Sequence, residues 1–131
     1  MQWQEDAVIR IILVEDSVAV RDRLREMLHD LQRFRVVGEF DAAEDAIAAI
    51  GTEPPDVVLL DIKLRVGNGI EVLRHLRKRA PSATVIVFSQ YDEPEYREQF
   101  ERAGAHFFFN KTRETGQLVA TLTQLGARQP S

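Results

Sequence analysis

The chain has 131 residues, 44% of them hydrophobic, enough for one compact domain that buries a core without covalent staples. It contains no cysteine, which excludes a disulfide framework and a thiolate metal site and leaves oxygen ligands as the metal option. A net charge of -4 gives no general electrostatic reason to bind nucleic acid, and the polar, acidic start Met1 to Asp6, with no apolar run of membrane length, reads as a soluble, unexported, cytoplasmic protein.

Strand-like and helix-like segments then alternate. Residues 8 to 14 are β-branched and apolar, too continuous for a half-exposed strand and as expected for one buried on both faces. From Ser17 to Leu31 the period changes: Val20, Leu24, Met27, Leu28 and Leu31 recur at helical spacing. Phe34 to Phe40 is a second, more polar strand, suited to a sheet edge. Asp41 is placed to cap a short Ala-rich helix carrying Ile47 and Ile50, ended by Gly51 and the Pro54-Pro55 pair.

Strand three, Asp56 to Asp61, follows at once. A loop with Gly67 and Gly69 leads into a helix whose inner face is Ile70, Leu73 and Leu76, ending before Pro81. Thr84 to Ser89 is strand four. Tyr96, Phe100 and Ala103 mark the next helix, with Gly104 as its left-handed terminator. His106 to Phe109 is strand five, and Glu114 to Leu125 a last helix, after which Gly126 to Ser131 is a short tail. Five β-then-α units predict a parallel sheet covered on both faces, an α/β doubly wound fold in the flavodoxin-like strand order 2-1-3-4-5. We expect a single domain over residues 1–131, its core about 8–125.

Four apolar runs each stop at chemistry suited to phosphate or metal: Ile11 to Val14 at Glu15 and Asp16, Val57 to Leu60 at Asp61, Val85 to Phe88 at Ser89, and Phe107 to Phe109, one residue on, at Lys111. In a parallel sheet those ends line one crevice. Three carboxylates brought together repel, so their pKa values rise unless a cation enters, and oxygen-only ligation at a partly open site suits Mg2+. Each residue has a plain alternative: Glu15 and Asp16 as acids at a helix start, Ser89 as a turn former, Lys111 snorkelling to solvent. Their recurrence at successive strand ends favours a shared site.

At these spacings Glu15-Asp16, Asp61, Ser89 and Lys111 resemble the receiver domain of bacterial two-component response regulators, over about Val8 to Leu125. The resemblance implies that Asp61 accepts a phosphoryl group from a phosphohistidine on a sensor histidine kinase or phosphotransfer protein. It implies Mg2+ held by Glu15, Asp16, Asp61 and the backbone carbonyl of Lys63, with Ser89 and Phe108 as switch residues. Readout would leave through the helix four, strand five and helix five surface, roughly Glu93 to Leu125, to an unknown downstream protein; a phosphorylation-dependent dimer stays open. Lys63 and Tyr91, two positions after Asp61 and Ser89, would tune the lifetime of the phosphoryl group.

The chain departs from the family in four places. Thr112 follows Lys111 where proline, in a cis peptide, is usual; Arg65 replaces a frequent proline; Gln90 replaces a small residue; and Phe108 lacks the commoner tyrosine hydroxyl.

The leading reading is a stand-alone receiver that signals by protein contact, catalysing only its own phosphotransfer and autodephosphorylation and binding neither membrane nor nucleic acid. One alternative is a receiver fragment of a longer DNA-binding transcriptional regulator. For that, the basic cluster Arg74, His75, Arg77, Lys78 and Arg79 is weak support, since such clusters complement a helix dipole. The other is an aspartate-nucleophile phosphatase, which would want a second acid where Lys63 stands.

Overall fold

The computed structural model describes residues 8–127, so Met1 to Ala7, with the acidic start Met1 to Asp6, and the residues beyond Ala127 lie outside it. Five strands, β1 (Ile9–Val14), β2 (Phe34–Phe40), β3 (Val57–Leu60), β4 (Thr84–Ser89) and β5 (Phe107–Asn110), form one sheet in the order β2-β1-β3-β4-β5. Every pairing is parallel, as right-handed crossovers through helices require. The helices are α1 (Val18–Leu31), α2 (Ala43–Thr52), α3 (Gly69–Arg79), α4 (Pro94–Arg102) and α5 (Thr115–Ala127). No helix among the described residues is long and apolar enough to cross a membrane.

The alternation of side chains along each strand divides the core into two layers. Ile11, Leu13, Val57, Leu59, Ile86 and Phe88 face α1 and α5, where Leu24, Leu28, Leu118 and Leu122 meet them. Ile12, Val14, Val58, Leu60, Val85 and Val87 face α2, α3 and α4, against Ile50, Leu73, Leu76 and Phe100. β1, β3 and β4 are therefore apolar on both faces, and β2 sits at the edge as its polarity suggested.

Several boundaries differ from the sequence reading. Asp41 does not cap α2: the cap is Ala42, without a side-chain bond, because the Asp41 carboxylate is taken by Arg65 at 2.9 and 3.1 Å. Gly51 does not end α2 either, since the Glu53 N–H still donates to Ala49 and the turn closes only before the two prolines. Gly69 is the first residue of α3 rather than part of the loop, behind a capping box of Asn68 and Glu71. Strand five is Phe107 to Asn110, not His106 to Phe109. α5 continues through Gly126, whose missing side chain leaves room for Arg33. Gly104 does take a positive φ, 107°, one residue past the α4 cap at Ala103.

Gly69 sits where no side chain fits: a Cβ there would fall 2.2 Å from the Asp61 carbonyl oxygen. The start of α3 is thereby pressed against the end of β3, and the Gly69 N–H donates to Ile62 at 2.7 Å. Gly69→Ala should cost about 1–3 kcal/mol by overpacking. Gly116→Ala, on α5 with nothing within 4 Å, should instead add roughly 0.5–1 kcal/mol. Urea denaturation of the two variants checks the contrast.

Candidate functional site

The sheet ladder runs directly into the residues at its carboxyl edge. The Glu15 N–H donates to Phe40 (2.9 Å), that of Asp61 to Val14 (2.9 Å) and that of Lys111 to Ser89 (3.0 Å). The backbones of these residues are thus fixed by strand pairing rather than left to loop motion. Asp61 and Glu15 are buried, Ser89 is wholly so, and Asp16 is exposed at the rim.

Lys111 joins the far strand to the near ones. From the end of β5 it reaches past β4 toward β3 and β1, and its Nζ lies 2.7 Å from Asp61 Oδ2 and 2.8 Å from Glu15 Oε1. The remaining polar atoms are occupied locally. Asp61 Oδ1 accepts the Ile62 N–H at 2.7 Å, Glu15 Oε2 accepts the Ser17 N–H at 3.0 Å, and the Ser89 hydroxyl accepts the Tyr91 N–H at 3.2 Å. Arg21, itself paired with Glu39 at 3.4 Å, donates to the Glu15 carbonyl at 2.5 Å and steadies the turn into α1.

Glu15, Asp16 and Asp61 each place a carboxylate oxygen within 4.8 Å of the others. One ammonium stands against three carboxylates, which leaves charge for a divalent cation to offset, and a partly open all-oxygen set is what Mg2+ takes. The donors present therefore fit that ion. Burial, and then the Asp61 charge, push the Glu15 carboxyl up to about 7. Burial works to lower the Lys111 pKa, but its bonds to Asp61 and Glu15 outweigh burial and hold it above the ordinary value.

Around this cluster, Lys63 is exposed in the β3–α3 loop with its ammonium 4.5 Å from the centre of the Tyr91 ring. Tyr91 meets Tyr96 edge-on at 6.2 Å. Phe108 is buried in the layer facing α4, edge-on to Phe100 at 6.3 Å and beneath the Arg97 guanidinium at 4.6 Å. No peptide bond among the described residues is cis, that of Lys111 to Thr112 included. Of the basic cluster, Arg74, His75, Lys78 and Arg79 are exposed on and near the last turn of α3, whereas Arg77 turns inward to donate to the Ala83 carbonyl at 2.7 Å.

The sequence pattern assigns no site role to Asn110, Asp92, Arg97, Arg113 or Glu114, which bind the loops after β4 and β5 to one another. Asn110 Nδ2 donates to Asp92 (3.1 Å), and Arg97 donates to Glu114 (2.9 Å) and to the Phe108 carbonyl (3.2 Å). A signal for Asn110 was its place at the end of an aromatic strand, where an asparagine side chain can bond the backbone of the next turn.

Because the folded state raises the Glu15 pKa from 4.5 to about 7, it binds more protons than the unfolded chain across that interval. The Glu15 contribution to stability is present below pH 4.5 and is lost as the pH rises through about 7. His106 works the opposite way: burial, then Arg77, lower its pKa, so its share is lost as the pH falls below 6.5. Thermal melting in magnesium-free buffer should therefore show, relative to Glu15→Gln, a midpoint that drops from pH 5 to 7.5, and added Mg2+ should recover it at the alkaline end. Parallel profiles for the two proteins would place the titration elsewhere.

A model of the response regulator receiver domain matches residues 11–123. Response regulator GacA of Pseudomonas aeruginosa is 30% identical over 122 residues, 93% of this chain and 57% of that protein. The DNA-binding transcriptional activator DevR/DosR of Mycobacterium tuberculosis is 31% identical over 120 residues, 92% of this chain and 55% of that one. The chain thus spans about half the length of these curated relatives. Among solved structures, the response regulator domain of Thermotoga maritima CheB superimposes with a TM-score of 0.80 at 27% identity, covering 93% of this chain and 96% of that one. With the sheet order and the matched span in agreement, the chain belongs to the response regulator receiver domains, the phosphorylation-based signalling modules of two-component systems.

Proposed function

We propose that Asp61 is the phosphoacceptor of a single receiver domain working in the cytoplasm, and that it takes its phosphoryl group from a sensor histidine kinase or a phosphotransfer protein. The observation that carries this reading is the Lys111 ammonium bridging Asp61 and Glu15 at the ends of three different strands. An Asp61 carboxylate oxygen forms the new bond to phosphorus as the phosphorus–nitrogen bond of the donor breaks, and the departing imidazole takes up a proton. Phosphoryl transfer of this kind needs positioning and charge compensation more than covalent help.

Glu15, Asp16 and Asp61, with the backbone carbonyl of Lys63, are the residues that would hold Mg2+, which when bound offsets the charge of the carboxylates and phosphoryl oxygens. Lys111 supplies a fixed positive charge to the same group. The added acceptor oxygens recruit the Ser89 hydroxyl, and the loop after β4 follows it. Phe108 lies on the α4 side beneath that loop, so the α4, β5 and α5 surface carries the change to a downstream protein. The only chemistry we assign is the domain's own phosphotransfer and autodephosphorylation. Lys63 in place of a second acid argues against a phosphatase, because an ammonium resting on Tyr91 cannot act as the general acid–base carboxyl.

A second reading is favoured by coverage: the chain matches about half of relatives such as the DNA-binding DevR/DosR, so the receiver would work there as one part of a longer transcriptional regulator. The size of the intact protein in its source cell decides between the two.

Incubation with Mg2+ and acetyl phosphate should add one phosphoryl mass to the native protein and none to Asp61→Asn; an adduct on both, or on neither, rejects the assignment. Once formed, the adduct should decay slowly, since Lys63 and Tyr91 pack against each other at the two positions expected to govern water access. Lys63→Ala is expected to speed its loss several-fold in a timed mass series, and an unchanged rate would remove Lys63 from that role.

A further inference from the structure

Asn110 is 97% enclosed, its exposure being 3%, and all of its polar groups are engaged. Its backbone N–H donates to Glu114 Oε1 at 2.8 Å, and its carbonyl accepts the Glu114 N–H at 2.9 Å. Its side-chain Oδ1 accepts two successive N–H groups, those of Thr112 at 2.8 Å and Arg113 at 3.0 Å, and so ties the turn that contains Lys111. A proline at position 112 would have no N–H to give this carbonyl. Thr112 therefore leaves the turn dependent on its neighbour two residues back.

The other end of the same side chain leaves the turn. Asn110 Nδ2 donates to Asp92 Oδ2 at 3.1 Å, in the loop three residues beyond Ser89. Asp92 is also bound by Arg113 and lies 4.0 Å from Arg97, which is anchored to Glu114 at 2.9 Å. Burial raises the Asp92 pKa, but the bonds from Arg113 and Asn110 outweigh it and hold the carboxylate below its ordinary value. Asn110 and Ser89 are also direct partners across β4 and β5.

We propose that Asn110 is a positioning residue for Lys111: it binds the turn around the lysine and, through Asp92, fastens that turn to the loop that follows Ser89. The inference rests on Asp61 being the phosphoacceptor. The ladder bond from the Lys111 N–H to Ser89 holds the lysine on its strand side, and the Asn110 amide holds the turn on its other side, so the location of the ammonium depends on both. A small displacement of a charge from the phosphoryl oxygens it faces weakens its help steeply.

A double-mutant cycle with acetyl phosphate and Mg2+ tests this, because a merely structural asparagine would slow both backgrounds alike. Asn110→Leu should slow phosphoryl uptake roughly tenfold in the native background and by less than about twofold on Lys111→Ala. Equal slowing in both, or none in either, overturns the proposal. Should Asn110→Leu fail to fold by circular dichroism, Asp92→Ala decides from the rim without opening the core: a slowing of about threefold, dependent on Lys111, is expected, and no Lys111-dependent change overturns the proposal. A native protein that takes no phosphoryl group rejects the Asp61 reading and this inference with it. A labelled native protein without coupling rejects this inference alone.

Discussion

The site depends on one contact, a single ammonium held against two buried carboxylates that arrive on different strands. Lys111 can meet Asp61 and Glu15 only if β1, β3 and β5 end at the same level, and parallel pairing in a shared register brings them there. Parallel strands in turn need helical crossovers, and the crossovers cover both faces, so the strands must be apolar all round. The unbroken Val, Ile and Leu runs of β1, β3 and β4 and the charged cluster beyond them thus answer the same geometric demand. The backbone bonds that continue the ladder through Glu15, Asp61 and Lys111 leave those residues little freedom to avoid one another.

A second set of contacts lies above the first and links loops rather than strands. Asn110, Asp92, Arg97, Arg113 and Glu114 connect the segment after β4 with the segment after β5. The Arg97 guanidinium also covers the Phe108 ring and donates to the Phe108 carbonyl. The Ser89 loop and Phe108 are thus joined by a chain of direct contacts through Asp92 and Arg97. Phe108 has no hydroxyl, so the aromatic packing on Phe100 and the guanidinium above it are what hold the ring.

The sheet, its order and the residues at its edge were legible in the sequence because each rests on a repeating pattern. Buried strands are continuous apolar runs, helices repeat every three or four residues, and ionic groups just past an apolar run stand out. What stayed hidden depends on distant partners. Asp41 has the chemistry of a cap, yet Arg65, 24 residues away, claims its carboxylate. Gly126 reads as the start of a tail until Arg33 is seen to lie over it. Asn110 drew no attention because its value comes from Asp92, Thr112 and Arg113, and only the Asx turn to its two near neighbours could have been suspected from local sequence.

The cluster of two buried carboxylates, Glu15 and Asp61, with the half-buried Lys111 is poorly explained as a stabilising device. Burying ions is costly, and well-packed apolar substitutes for such groups are often neutral or better for stability. The two core layers are complete without it: Val14, Leu60 and Phe88 close them just beneath the charged edge, each nearly or wholly buried. The elevated Glu15 pKa points the same way, since a carboxyl that resists ionisation in its own fold is one the fold holds at a cost. Asp16, exposed beside them, is not bonded to Lys111 and adds a third negative group that packing does not require. A set of charges that the core does not need, held in place by the ladder that the core does need, is what a site kept for chemistry looks like.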